Sequence, residues 1–181
     1  MEITLKQEIT ELLESTKREG IKNLIKDLSE RGFFESPAST RFHGAYDGGL
    51  LEHSHNVYIL FNRFVRELRQ DIKINKDSVI LCSLLHDVCK AGMYIKDGDK
   101  YLFNQQFRGK GHARLSLEII EKHIYLNLQE KNIILFHMGY YGTTGFNQRG
   151  EYSLMDLAEA NKEPLTKLFY WCDDMSSQFI D

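Results

Sequence analysis

Proline occurs only twice in this 181-residue chain and cysteine three times, and neither residue organises it. So few prolines leave room for long uninterrupted helices. Cys82, Cys89 and Cys172 lack C-x-x-C spacing and sit in helix-like segments, which reads as reduced core thiols in a cytoplasmic protein. No apolar run approaches the roughly 20 residues of a membrane span. The N-terminal stretch "MEITLKQEITELLEST" is amphipathic and acidic, unlike a secretory signal. No charge of one sign dominates: 23 basic residues stand against 26 acidic ones. That balance gives no footprint for general nucleic-acid binding, though a short nucleic acid in a local pocket remains compatible.

What is present reads as one domain, residues 1–181, mostly α-helical with one small hairpin. Residues 2–14 and 20–31 form two short helices, and residues 32–48 a loop. A helix runs from about Leu50 to Arg69. The next, capped by Asn75 or Asp77, runs to about Lys90. "YIKDGDKYLF" places Asp-Gly between alternating flanks, a β-hairpin signature. Three or four helices follow, near 111–126, 129–139, 151–161 and 163–178. Between the second and third lies the glycine-rich aromatic loop "GYYGTTGFNQRGEY". No phosphate-binding glycine motif precedes a helix.

The histidines separate by helical phase. At 100° per residue, Val57, Leu60, Phe64 and Leu68 fall within about 60° of His53, so His53 faces the core. His55 falls beside Asn62, Arg66 and Arg69, as a surface histidine does. "DSVILCSLLHDVCKAG" is apolar nearly all round, the mark of a central buried helix, yet carries His86 and Asp87. A buried carboxylate costs several kcal/mol unless paired or bound to a metal. Lys90 lies on the same side, so a helix-terminal polar cluster facing the helix dipole is the alternative reading. His112 shares a face with Leu115 and Ile119, and His137 with Ile133 and Ile134; core or capping roles are open to both. His123 lies about 16 Å further along the His112 face and reads as structural. In "LFYWCDDMSS", the stripe Leu165, Leu168, Phe169, Cys172, Met175 and Phe179 turns Asp173 inward more than Asp174, which points nearly opposite. Histidine nitrogens and carboxylates suit Mn, Fe, Co, Ni, Zn or Mg. Six such ligands, with Asp87 bridging, suffice for one or two divalent ions, and two ions about 3.5–4 Å apart suit phosphoester hydrolysis.

The ordered segments "LLEH", "LLHDVCK", "GHARLS", "LFHMG" and "CDDMSS" resemble the H…HD…H…H…D pattern of HD-domain metal-dependent phosphohydrolases. The approach "FFESPASTRFHGAYDGGLLEHS" is similar to that of bacterial HD-type 3′→5′ exoribonucleases, whose HD domain follows an OB-type domain. The resemblance implies an HD helical bundle with residues 49–178 as its metal-binding core. It implies that His53, His86, Asp87 and Asp173 hold a first metal. It implies that His112 and His137 hold a second with Asp87 bridging, and that Lys90 contacts phosphate or stabilises charge. His137-Met138 stands where relatives often carry two adjacent histidines. Residues 1–40 are too short for an OB-type domain, so long nucleic acid is not an expected partner. The glutamate-aspartate pair of guanosine tetraphosphate hydrolases is replaced by Lys90, Ala91 and Gly92.

The expected activity is hydrolysis of a phosphoester in a nucleotide, cyclic nucleotide or short oligonucleotide by metal-activated water, with Asp87 and Lys90 as the catalytic pair. Arg108, Lys110 and Arg149 flank the site segments, either to bind further phosphates or as solvated loop charges. Tyr140, Tyr141 and Phe146 can stack a base or pack a lid. Two other readings remain: a non-catalytic nucleotide-sensing module with structural metal, and a helical interaction protein with no site.

Overall fold

The computed structural model describes residues 3–67, 73–109, 111–144 and 150–181. Eight α-helices and one antiparallel hairpin form the regular structure of these residues, so the chain is a helical fold as its composition suggests. Helix α1 (Leu5–Ser15) opens with a capping box between Thr4 and Gln7 and turns Ile9 and Leu13 inward. Helix α2 (Ile21–Glu30) contributes Ile21, Leu24 and Leu28. These residues join the same hydrophobic cluster as α3 (Gly49–Glu67) and α4 (Lys76–Leu85). Helix α4 is capped by Asn75 rather than Asp77, and every residue from Ser78 to Leu85 is buried. It is the central helix expected from its all-round apolar surface.

The hairpin pairs β1 (Tyr94–Asp97) with β2 (Lys100–Phe103). Helices α5 (His112–Glu121), α6 (Leu128–Leu135), α7 (Leu154–Ala160) and α8 (Pro164–Phe179) complete the bundle. Phe169 of α8 meets Phe61 of α3 edge-on, with ring centres 5.0 Å apart. One buried ion pair joins three parts of the fold. Glu130, fully buried, accepts from Arg18 Nη2 at 2.7 Å, Ser78 Oγ at 2.7 Å and the Asn127 amide at 2.8 Å. The three cysteines are free and buried. No helix among the described residues is long and apolar enough to cross a membrane.

Several helices are shorter than periodicity alone suggests, each for a local reason. Helix α4 stops at Leu85, not near Lys90: Asp87 leaves the helical region (φ −114°, ψ 16°), and Val88–Lys90 form a 3-10 turn. Helix α5 stops at Glu121, with Lys122 as its C-cap, and the Asn127–Glu130 capping box then opens α6 as a separate helix. Helix α6 stops at Leu135, so His137 lies beyond it. Helix α7 begins at Leu154, where Ser153 caps it and forms a capping box with Asp156. The expected apolar stripe of α8 also breaks. Met175 and Phe179 are 38% and 82% exposed, while Ser176 is fully buried. Past Phe179 the chain curls back and Ser176 pairs with Asp181, so polar pairing replaces apolar packing at that end. Arg69 lies outside the described residues.

Candidate metal centre

Five ligand-bearing segments converge where α4 ends. His53 projects from α3, His86 and Asp87 follow α4, His112 opens α5, His137 follows α6, and Asp173 comes from α8. His53, His86, Asp87 and His137 are buried, and Asp173 is partly so. His53 Nε2 lies 3.0 Å from Asp173 Oδ1 and 3.3 Å from His86 Nε2. His86 Nε2 lies 3.6 Å from Asp173 Oδ1 and 3.4 Å from Asp87 Oδ2. The other oxygen, Asp87 Oδ1, faces His137 Nε2 at 3.5 Å and His112 Nε2 at 3.7 Å. His112 and His137 approach each other through Nε2 at 3.1 Å. One carboxylate thus divides its two oxygens between two groups of ligand atoms.

The outward hydrogen bonds fix which nitrogen faces inward. His86 Nδ1 donates to the Ser83 carbonyl at 2.9 Å, and His137 Nδ1 to the Ile134 carbonyl at 2.7 Å. His53 Nδ1 donates to Asp181 Oδ2 at 2.5 Å. Every acceptor is an oxygen, so Nδ1 carries a proton, and each ring, once neutral, presents its lone pair at Nε2. Lone pairs 3.3 Å apart, as on His53 and His86, need a cation or a proton between them. Asp87 Oδ1 is buried and has no hydrogen-bond partner. An orphaned oxygen beside inward-facing imidazoles fits divalent-metal ligation, and the donor set suits the transition metals named above.

The electrostatics agree. Burial opposes charge on His86, but Asp87 and Asp173 outweigh it and push its pKa up to about 10. Burial would likewise raise Asp87, yet Lys90 and His86 hold it well below the usual carboxylate range. Asp173 is held low in the same way by His53 and His86. Burial opposes the ammonium of Lys90, but Asp87, 2.6 Å from Nζ, keeps it above the ordinary lysine value. Lys90 therefore stays charged. His112 is pushed down, chiefly by burial and against the pull of Asp87.

The scaffold explains the placement. Phe169 supports the His86 ring edge-on at 5.5 Å. The Cys89 amide donates to Ser116 Oγ at 3.3 Å, which ties the 3-10 turn to α5. Glu151 accepts from the Ala113 and Arg114 amides at 3.0 and 2.9 Å and so caps α5, which His112 opens. Gly111 allows this, because a Cβ there would lie 2.5 Å from Glu151 Oε2. At the start of α3, a Cβ on Gly49 would lie 2.1 Å from the Gly44 carbonyl oxygen. That approach lays the 32–48 loop against His53.

A cleft of about 810 Å³ opens over these residues. Asp87, Lys90, His112, His137 and Asp173 line its floor, with Phe42, His43, Tyr94, Tyr141 and Tyr170 among its walls. Arg108 is exposed and does not line the cleft. Lys110, Phe146 and Arg149 lie outside the described residues. Asp174 does line the cleft, contrary to the opposite orientation read from helical phase. Asp173 alone of the two makes the contacts to His53 and His86 given above. His55 pairs with Glu8 of α1 at 3.3 Å and is less exposed than expected, because α1 packs over it. His123 bonds Asp27 at 3.0 Å, a structural role.

Two residues escaped sequence reading. His43, in the loop, stacks on His53 with ring centres 5.1 Å apart. Asp181 follows α8. Neither sits on a helical face, so periodicity carried no signal for them.

Residues 50–177 match the family described as HD domain. The chain belongs to the HD domain family. All six candidate ligands of this HD domain lie inside the matched span, and His43 and Asp181 lie outside it. Over 131 residues the chain is 27% identical to dihydroneopterin 2′,3′-cyclic phosphate phosphodiesterase of Methanocaldococcus jannaschii, covering 71% of this chain and 52% of that protein. The chain thus spans about half the length of that curated relative. No solved structure matches it.

Proposed function

We propose that this HD domain is a metal-dependent phosphohydrolase acting on a nucleotide, cyclic nucleotide or short oligonucleotide. The division of the Asp87 carboxylate between two imidazole groups carries the reading. His53, His86, Asp87 and Asp173 would hold one divalent ion, and Asp87, His112 and His137 a second. Bound there, such ions supply Lewis acidity, which acidifies water and neutralises charge on phosphoryl oxygens. Lys90 holds Asp87 through its ammonium and presents the same charge to a phosphate in the cleft. Phe42, Tyr94, Tyr141 and Tyr170 line the cleft and would pack against a planar group attached to that phosphate. The relative's printed name supports a cyclic phosphodiester as the first substrate to try. Arg108, Lys110 and Arg149 are proposed as outer phosphate contacts.

Residues 1–181 are read as one domain, supported by the shared core of α1 to α4. The buried free thiols support a cytoplasmic setting.

The test is hydrolysis by protein loaded in turn with Mn, Fe, Co, Ni, Zn or Mg, against 2′,3′- and 3′,5′-cyclic nucleotides, mononucleotides and short RNAs. Turnover that vanishes in Asp87→Ala is expected. Tight nucleotide binding with no turnover under any metal would replace the proposal with a sensing module.

A further inference from the structure

The two nitrogens of His53 keep different company. Nε2 faces His86 and Asp173, whereas Nδ1 turns away to Asp181 Oδ2 at 2.5 Å. Asp181 arrives there by a defined route. The Ile180 and Asp181 amides both donate to the Ser176 carbonyl, at 3.0 and 3.1 Å, so the chain curls back after α8. This leaves the Asp181 side chain 2% exposed. Its other oxygen, Oδ1, accepts from Asn56 Nδ2 of α3 at 2.9 Å and from Ser176 Oγ of α8 at 2.8 Å. Both carboxylate oxygens are therefore held, one by two fixed donors and one by the imidazole.

The comparison with the other inward histidines is informative. His86 and His137 donate Nδ1–H to backbone carbonyls, which are neutral acceptors. His53 alone of these three donates to a carboxylate. A carboxylate behind an imidazole fixes its tautomer, restrains its rotation and raises the basicity of the opposite nitrogen.

We propose that Asp181 is a positioning residue for His53, holding the ring so that Nε2 meets the metal centre and making it a stronger ligand. Asp181 touches neither substrate nor metal in this role. The proposal rests on the metal reading of His53, His86, Asp87 and Asp173.

The test uses the full chain with Asp181→Ala, Asp181→Asn or Ser176→Ala. Cobalt(II) titration is followed by calorimetry and by the visible absorption of the bound ion. Asp181→Ala is expected to weaken cobalt binding about 10–100-fold and to shift the visible bands. Asp181→Asn keeps an acceptor oxygen without the charge and should fall between it and the unaltered chain. Ser176→Ala, which loosens only the carboxylate, should show a smaller loss in the same direction. Circular dichroism in chelator should remain that of the unaltered chain. If Asp181→Ala does not fold, the other two variants answer the question.

Unchanged affinity and spectrum in the folded Asp181 variants would overturn the proposal. So would a loss of affinity matched in every variant by loss of the fold in chelator. If the unaltered chain takes up no cobalt or other divalent ion, the metal reading itself fails, and Asp181 loses its role with it.

Discussion

His86 and His137 are held in the same way by different helices. Each stands just past the end of its helix and donates Nδ1–H to the carbonyl three residues back, Ser83 for one and Ile134 for the other. The two rings approach edge-on at 5.0 Å but face different oxygens of Asp87. The substitutions should therefore separate. His137→Ala is expected to lower metal content by about one ion per chain, while Asp87→Ala lowers it at both positions. Elemental analysis of desalted protein checks this, and equal losses in the two variants would count against a bridging Asp87.

Proton release on metal binding follows from the charge of His86. Its pKa is raised to about 10, opposed by burial but driven by Asp87 and Asp173. A ligating imidazole must be neutral, so below that pH uptake of a metal releases the proton. Affinity is expected to rise with pH, about tenfold per unit for each proton released, and to flatten above about pH 10. Calorimetry in two buffers of different ionisation enthalpy counts the protons. No release near neutral pH would contradict the assignment.

Lys90 should affect turnover more than metal content. Its ammonium lies 2.6 Å from Asp87 Oδ2 and lines the cleft. Lys90→Met is expected to reduce kcat about 10²–10³-fold at saturating metal, the scale of losing one transition-state charge contact. In chelator the same variant should melt earlier, because Asp87 loses its lysine partner. Added metal should recover the melting temperature but not kcat.

A control is separate from the site in role. Arg18 and the fully buried Glu130 join the α1–α2 turn to α4 and α6. Arg18→Ala is expected to cost about 3–5 kcal/mol in urea unfolding, since it leaves a buried carboxylate short of its partner. Metal affinity of the folded protein should not change.

Much of this was legible in the sequence, and the boundary has physical causes. Helical phase correctly turns His53 inward, because α3 keeps regular geometry there, but it reads His55 as a surface histidine where Glu8 of α1 meets it and leaves it only partly exposed. The same rule gives the inward choice of Asp173 but misplaces Asp174, which α8 leaves at the cleft. It also assigns His86 and Asp87 to one continuous helix. In fact both lie past the end of α4, and the break at Asp87 is what aims its carboxylate at both imidazole groups. A helix end made by side-chain and backbone bonds, with no proline or glycine at Leu85, leaves little mark on composition. Asp181 was illegible for a related reason. Its contacts reach back to residues 53 and 56 across the whole chain, and such pairings have no local periodicity.

Part of the cleft's wall comes from a different kind of structure than its floor. The floor rests on helices and helix ends packed in the core, as does Tyr170 of α8, whereas Phe42 and Tyr94 come from the 32–48 loop and the outset of the hairpin. Asp47 in that loop receives Lys96 and Tyr101 from the hairpin at an exposed position, outside the core. Substitutions at Phe42 and Tyr94 therefore need not disturb the ligands below them. A lineage carrying this chain can retune what enters the cleft while the chemistry beneath stays fixed, so descent would preserve the reaction class more faithfully than the substrate.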